Sequence, residues 1–253
     1  MSTAAPVPAP SPIQPQESSS PVMRVLQTIY APTKAFTNLK GATAWIAPWI
    51  LISIISLAFF ITVDKKITYD TVIQNSLNAN PKTAARLDQL SEAQKEQQIH
   101  IQVLATKYIC YASPITTPMF YAVIALVLWG TFTFGCGARL NFGTSFSVAM
   151  LAGVPGTIRM LLAIVAMFAG ADPDGFNINN PLATNLSFLF DRTNSPFLYT
   201  LGSTLDIFLI WFAVLLAIGF STAGKVKRST AFSVIFGWLA VIALASAGIA
   251  ALF

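Results

Sequence analysis

Five long apolar stretches separated by polar connections dominate the chain from residue 44 onward. They cover 44–63, 110–134, 146–170, 199–220 and 231–252, and each is near the ~20 residues a helix needs to cross the hydrocarbon of a bilayer. The pattern predicts an all-α integral membrane protein, a bundle of five transmembrane helices. Trp45 and Trp49 open the first stretch and read as interfacial anchors. Ser113, Pro114, Thr116, Thr117 and Pro118 crowd the start of the second, which predicts that its hydrocarbon part begins nearer Met119. Small residues recur every four positions as Ala149, Gly153 and Thr157, as Ala213, Ala217 and Ser221, and as Ala243, Ala247 and Ala251. Such stripes let helix backbones approach closely inside a membrane, so the spans should pack tightly.

Ahead of the spans the pattern changes. Residues 1–21 are rich in Pro and Ser and hold no apolar run; they cannot bury enough surface to order, and a disordered cytoplasmic tail is expected. A charged n-region followed by an apolar h-region is missing, so no signal peptide is expected. The remainder, 22–253, should form one membrane domain. Val22, Val25, Leu26 and Ile29 recur at helical spacing beside Arg24, and Phe36 and Leu39 follow with Lys34 and Lys40. This basic segment predicts one or two short helices on the membrane surface, interrupted at Pro32; the plainer alternative is an amphipathic cytoplasmic linker.

Two connections carry structure signals of their own. In 64–109, Asn80 before Pro81 has the form of an N-cap with Pro at the first helical position, and Ser91 with Gln94 has capping-box spacing. No Pro or Gly lies between Ser91 and Ile109, which predicts a helix running on into the second span. The connection holding Asp172, Asp174, Asn177, Asn179, Asn180 and Asp191 has Gly and Pro punctuation and predicts an irregular loop.

Composition works mainly by exclusion. The chain is 55% hydrophobic and only 10% charged, whereas about a quarter of the residues of a soluble domain are charged. The net charge of +5 includes no Lys/Arg cluster larger than Lys225, Lys227 and Arg228, which argues against nucleic-acid binding and for contact with anionic lipid headgroups. Arg24, Lys34, Lys40, Lys225, Lys227 and Arg228 are the candidate headgroup contacts. Lys/Arg totals on the two sides tie. The density of cations in short segments, which carry the charge bias, puts the N-terminus inside and the C-terminus outside.

Candidate chemistry is sparse. Cys110 and Cys136 lie at opposite ends of one apolar stretch, roughly 39 Å apart along a helix, too far for a disulfide. His100, the one histidine, sits among Gln97, Gln98 and Gln102 with nothing to orient it as a base. Asp172 and Asp174 could offer oxygens to a divalent cation, but calcium-loop spacing is absent, and a turn-rich loop explains them. No catalytic residue, metal ligand or cofactor is assigned. The two charges deep in spans are Arg159 and Asp206. Each costs about 2.5–3.5 kcal/mol at a helix centre, which predicts an interhelical ion pair beside a break at Pro155 that frees the Leu151 carbonyl.

The segment Tyr30-Ala31-Pro32-Thr33-Lys34-Ala35-Phe36 resembles the approach to the first span in bacterial Yip (Ypt-interacting protein) domain proteins. So do Ala152-Gly153-Val154-Pro155, Asn180-Pro181, and Leu205 to Trp211 followed by Ala217-Ile218-Gly219-Phe220. The resemblance covers roughly 22–253. It implies a five-span protein of the bacterial cytoplasmic membrane with a cytoplasmic N-terminus, acting as a membrane-organising or adaptor protein without catalysis. Eukaryotic relatives engage prenylated Rab-type GTPases, but the Asp-Leu-Tyr-Gly-Pro motif of that branch is missing, so no motif carries a GTPase partner here. The partners implied are the lipid bilayer and other membrane proteins. A small-solute or ion transporter or channel using Arg159 and Asp206 is the alternative.

Overall fold

Each helix starts and stops where local chemistry permits it. The computed structural model of the chain describes residues 20–39 and 43–252; the tail expected over 1–21 lies almost wholly outside them, as does Lys40. Helix α1 (Pro21–Tyr30) is capped by the Ser20 hydroxyl, which accepts from the Met23 N–H at 3.2 Å, with Pro21 in its first turn. Pro32 then opens α2 (Pro32–Phe36). The first span is α3 (Ile46–Lys66). Helices α4 (Tyr69–Asn78), α5 (Pro81–Leu87) and α6 (Glu92–Tyr111) fill the long connection. The Asn80 side chain caps α5 and Ser91 and Gln94 form a reciprocal capping box on α6.

The expected run of this helix into the second span is interrupted once. Ala112 separates α6 from α7 (Ser113–Gly130), because Pro114 sits in the first turn of α7. A π-helical turn, Thr131–Gly135, ends the span. The crowded Ser/Thr/Pro start does not lie beyond the end of α3. Ser113 meets Ser56, midway along α3, hydroxyl to hydroxyl at 3.1 Å, so each polar side chain has a partner inside the bundle.

The third span is split into α8 (Phe142–Ala152) and α9 (Pro155–Phe168). Pro155 cannot donate to Leu151, and the Val154 N–H takes that carbonyl at 3.2 Å. The fourth span departs from the expected 199–220. Helix α10 (Pro196–Thr204) stops, Leu205 and Asp206 are non-helical, and α11 (Ile207–Gly224) carries the bilayer-length segment. Helix α12 (Arg228–Leu252) is the fifth. Five helical segments are long and apolar enough to span a membrane, and the described residues include no strand.

Helix α3 packs on α7 and α9, α8 on α7 and α11, and α12 on α10 and α11. Phe132 and Phe220, both fully buried, stack at 4.7 Å in the centre of one apolar core. A second core joins Phe59 and Val63 of α3 to Tyr69, Val103, Ala163 and Met167. The small-residue stripes are buried except at Ala251. Around the cores the surface is apolar: Ile54, Val123, Val165 and Val241 all point outward, which suits lipid and not water.

Lys225 takes the left-handed conformation (φ 53°) that closes the turn between α11 and α12, a position where glycine is ordinarily found. Lys225→Gly should therefore raise stability by about 1 kcal/mol, read as an upward shift of the thermal midpoint in detergent; a downward shift would place a needed contact on the lysine side chain.

Candidate functional site

At one end of the bundle, α1 and α2 dock against α3, α8 and α11. The docking is inverted relative to an ordinary amphipathic helix. Arg24, Val25, Gln27 and Thr28 face the protein, whereas Val22, Met23, Leu26, Ile29 and Tyr30 face outward. Arg24 explains the inversion. Its Nη1 donates to the carbonyls of Ala35 and Thr37, both at 2.9 Å, and Nη2 to that of Asn38 at 3.2 Å. Burial pulls this guanidinium below the ordinary arginine value. Arg24 therefore departs from the expected headgroup contact: three backbone acceptors hold it inside the fold. Lys34, Lys225, Lys227 and Arg228 remain exposed. Arg228 Nη2 donates to Thr33 Oγ1 at 2.9 Å, so the α11–α12 turn and α2 share one face.

The break in the fourth span forms a second polar place. Asp206 is the N-cap of α11, its Oδ1 accepting from the N–H groups of Phe208 at 2.9 Å and Leu209 at 3.1 Å. Its Oδ2 accepts from the Thr184 hydroxyl. The Thr184 carbonyl takes the Ile207 N–H at 3.2 Å, so the exposed backbone of the break is satisfied by the preceding loop. Arg159 of α9 comes within 4.0 Å of Asp206 through Nη1, while Nη2 donates to the Asn179 carbonyl at 2.8 Å. The two charges are thus neighbours, but each has its nearest partner elsewhere, and Asp206 heads a helix instead of lying within one.

A third cluster has no counterpart in the sequence reading. Asp64 at the end of α3 lies 3.0 Å from Lys107 Nζ and accepts from Tyr111 Oη at 3.0 Å. The hydrogen bond that Lys107 Nζ donates to Asp64 Oδ1, at 3.3 Å, holds the lysine above its usual value. The available signal was Lys107 and Tyr111 one helical turn apart on α6; nothing local pointed to Asp64. In the loop, Asp172 and Asn177 accept from N–H groups two residues on, at 2.9 Å each, the Asx-turn role. His100 is exposed on α6. No group of three His, Cys, Asp or Glu side chains converges among the described residues.

A bundle of five bilayer-length helices with an apolar outer surface is a multi-pass integral membrane protein. The family model of the Yip1 domain matches residues 26–249, from the middle of α1 almost to the end of α12, and the chain belongs to that family. Neither curated proteins nor solved structures give a match.

Proposed function

We propose that the protein is a non-catalytic membrane-organising or adaptor protein of a bacterial cytoplasmic membrane, with its N-terminus cytoplasmic. The observation that carries this reading is α1, whose apolar side chains face away from the bundle while Arg24, on its buried face, is bonded to the backbone of Ala35, Thr37 and Asn38. A helix fixed that way has one solvent left for Val22, Leu26 and Ile29, the boundary between headgroups and acyl chains. Lys34 on α2 and Lys225, Lys227 and Arg228 at the α11–α12 turn, joined to α2 through the Arg228–Thr33 hydrogen bond, are exposed, each worth about 1 kcal/mol beside anionic lipid. Dense cations in short segments at this end also support the cytoplasmic assignment.

Leu26→Glu combined with Ile29→Glu should leave the bundle folded, because both side chains project away from it. In liposomes, an environment-sensitive fluorophore on a cysteine replacing Val22 should then lose its apolar emission and admit an aqueous quencher. Unchanged emission would remove the leaflet role. Cross-linking from Lys34 and Lys227 in the native membrane should capture a specific membrane protein. Transport is the second reading, supported by the broken fourth span, since discontinuous helices with charged ends build transporter sites. Solute flux into proteoliposomes that is lost with Arg159→Gln, together with no cross-linked partner, would put transport in first place.

A further inference from the structure

Helix α7 packs on α3 and α8, and α9 packs on α3 and α11. Between α7 and α9 lies a cavity of about 730 Å³, within the range of sites that hold a small molecule. Phe60, Phe120, Phe208 and Phe212 form apolar walls, and Thr116, at its side, is exposed on the outer surface of α7. Phe120 is also largely exposed there, at 63%, so the opening faces the same direction as the lipid-facing residues of α7. Arg159 and Asn179 also line it, joined by the hydrogen bond from Arg159 Nη2 to the Asn179 carbonyl. A second cavity of about 470 Å³ shares Thr106, Ile178 and Asn179 with the first and is lined by Asn75, Ser76, Asn180 and Arg192. An apolar chamber open to the membrane thus adjoins a polar one, and Arg159 sits where they meet.

The charges decide the class of occupant. Arg159 and Arg192 line these chambers and no Asp or Glu does so among the described residues. Asp206 does not line either chamber; its oxygens are held by two backbone N–H groups and Thr184. Arg159 has five N–H donors, and one hydrogen bond, to Asn179, is made among the described residues. A guanidinium with spare donors matches phosphate oxygens in a fork geometry. The lining offers a choline or ethanolamine ammonium no carboxylate, and the nearest one, Asp206 at 4.0 Å from Arg159 Nη1, is buried with its oxygens held by two N–H groups and Thr184, so the ammonium would be repelled by the arginines.

We propose that this cavity binds one anionic phospholipid, an acyl chain lying among Phe60, Phe120 and Phe212 and the headgroup phosphate on Arg159, with the rest of the headgroup reaching toward Arg192. The inference does not rest on the α1 surface helix or on the organising role. The test uses the full chain in nanodiscs with phosphatidylglycerol or phosphatidylcholine carrying a photoactivatable group on the acyl chain. Phosphatidylglycerol adducts should map to Thr116, Phe120 and Phe212 and exceed those of phosphatidylcholine by roughly ten-fold, because both lipids offer a phosphate to Arg159 but only the choline ammonium is repelled by the two arginines. Arg159→Gln should bring the two lipids within about two-fold of each other, Arg159→Lys should retain part of the preference, and Arg192→Gln should lower it. A Cβ at Gly156, on the cavity wall, meets open space, so Gly156→Phe should fold, occupy the chamber and abolish the mapped adducts of both lipids. Adducts of the parent protein spread evenly over the outer surface, or equal for the two lipids, would overturn the proposal without any variant. So would adducts that persist in Gly156→Phe, or saturable binding of inorganic phosphate that displaces the lipid and reassigns the site to a soluble anion.

Discussion

Phe36→Ala should cost the protein about 3 kcal/mol of stability, the low end of the range for deleting a buried phenyl ring. The ring is fully buried between α8 and α11 and packs at Gly219, which lies five residues before the end of α11 and so roughly 8 Å in from that end. Gly219 makes the seat. A Cβ there would come within 2.5 Å of Val148 Cγ1 and 3.2 Å of two atoms of the Phe36 ring. Among helices with no hydrophobic drive between them, the transfer part of the cost shrinks and the unfilled volume remains, which is why the low end is expected. Loss of the ring should also free Thr37 and Asn38, whose carbonyls hold Arg24, and α1 should undock. The measurement is the unfolding midpoint in detergent together with tryptic cleavage after Arg24, which is 8% exposed in the parent. Gly219→Leu should produce both changes from the opposite side, by overpacking. An unchanged midpoint with Arg24 still protected would show that α1 and α2 are held by something other than this ring.

What the chain made legible follows from which constraints are local. A bilayer demands long apolar runs, so five spans could be read directly. Caps at Asn80 and Ser91 act within four residues and were readable for the same reason. The break before α11 had a local signal too: Asp206 immediately precedes Ile-Phe-Leu-Ile-Trp, the pattern of an N-cap, but an unbroken hydropathy run concealed it. Arg24 gave the opposite impression from its structural role. A cation beside an apolar stripe suggests a headgroup contact, and only the chain's return at Ala35, Thr37 and Asn38 supplies the acceptors that bury it. Arg159 and Asp206 stood out as charges inside apolar runs. Their closer partners, Asn179 and Thr184, are ordinary loop residues separated from them by 20 and 22 positions, and no spacing rule reaches that far. The pair Asp64 and Lys107, 43 residues apart, was invisible for the same reason.

Asp206→Ala should destabilise the protein far more than Asp206→Asn. The alanine variant removes the acceptor for Phe208 and Leu209 and the partner of Thr184. Loss of an N-cap alone costs about 0.5–2 kcal/mol, and the break lies where lipid offers no replacement hydrogen bond. Asparagine is as good a cap as aspartate and keeps an oxygen for the same N–H groups. What it gives up is the charge facing Arg159 at 4.0 Å, where the arginine side chain is 24% exposed; a long, partly exposed pair is worth about 1 kcal/mol or less. The measurements are midpoint shifts of the two variants, with protease resistance of the loop before α10 as a second readout. The exchange Arg159→Asp with Asp206→Arg separates a cap from a simple ion pair still more sharply. If attraction were the whole role of these residues, the exchange would restore what either single change loses. Arginine accepts no hydrogen bond, so at position 206 it cannot hold the N–H groups that open α11, and the exchanged protein should remain as unstable as Asp206→Ala. Full recovery in the exchange would mean that the charge pair, and not the cap, fixes the break in the fourth span.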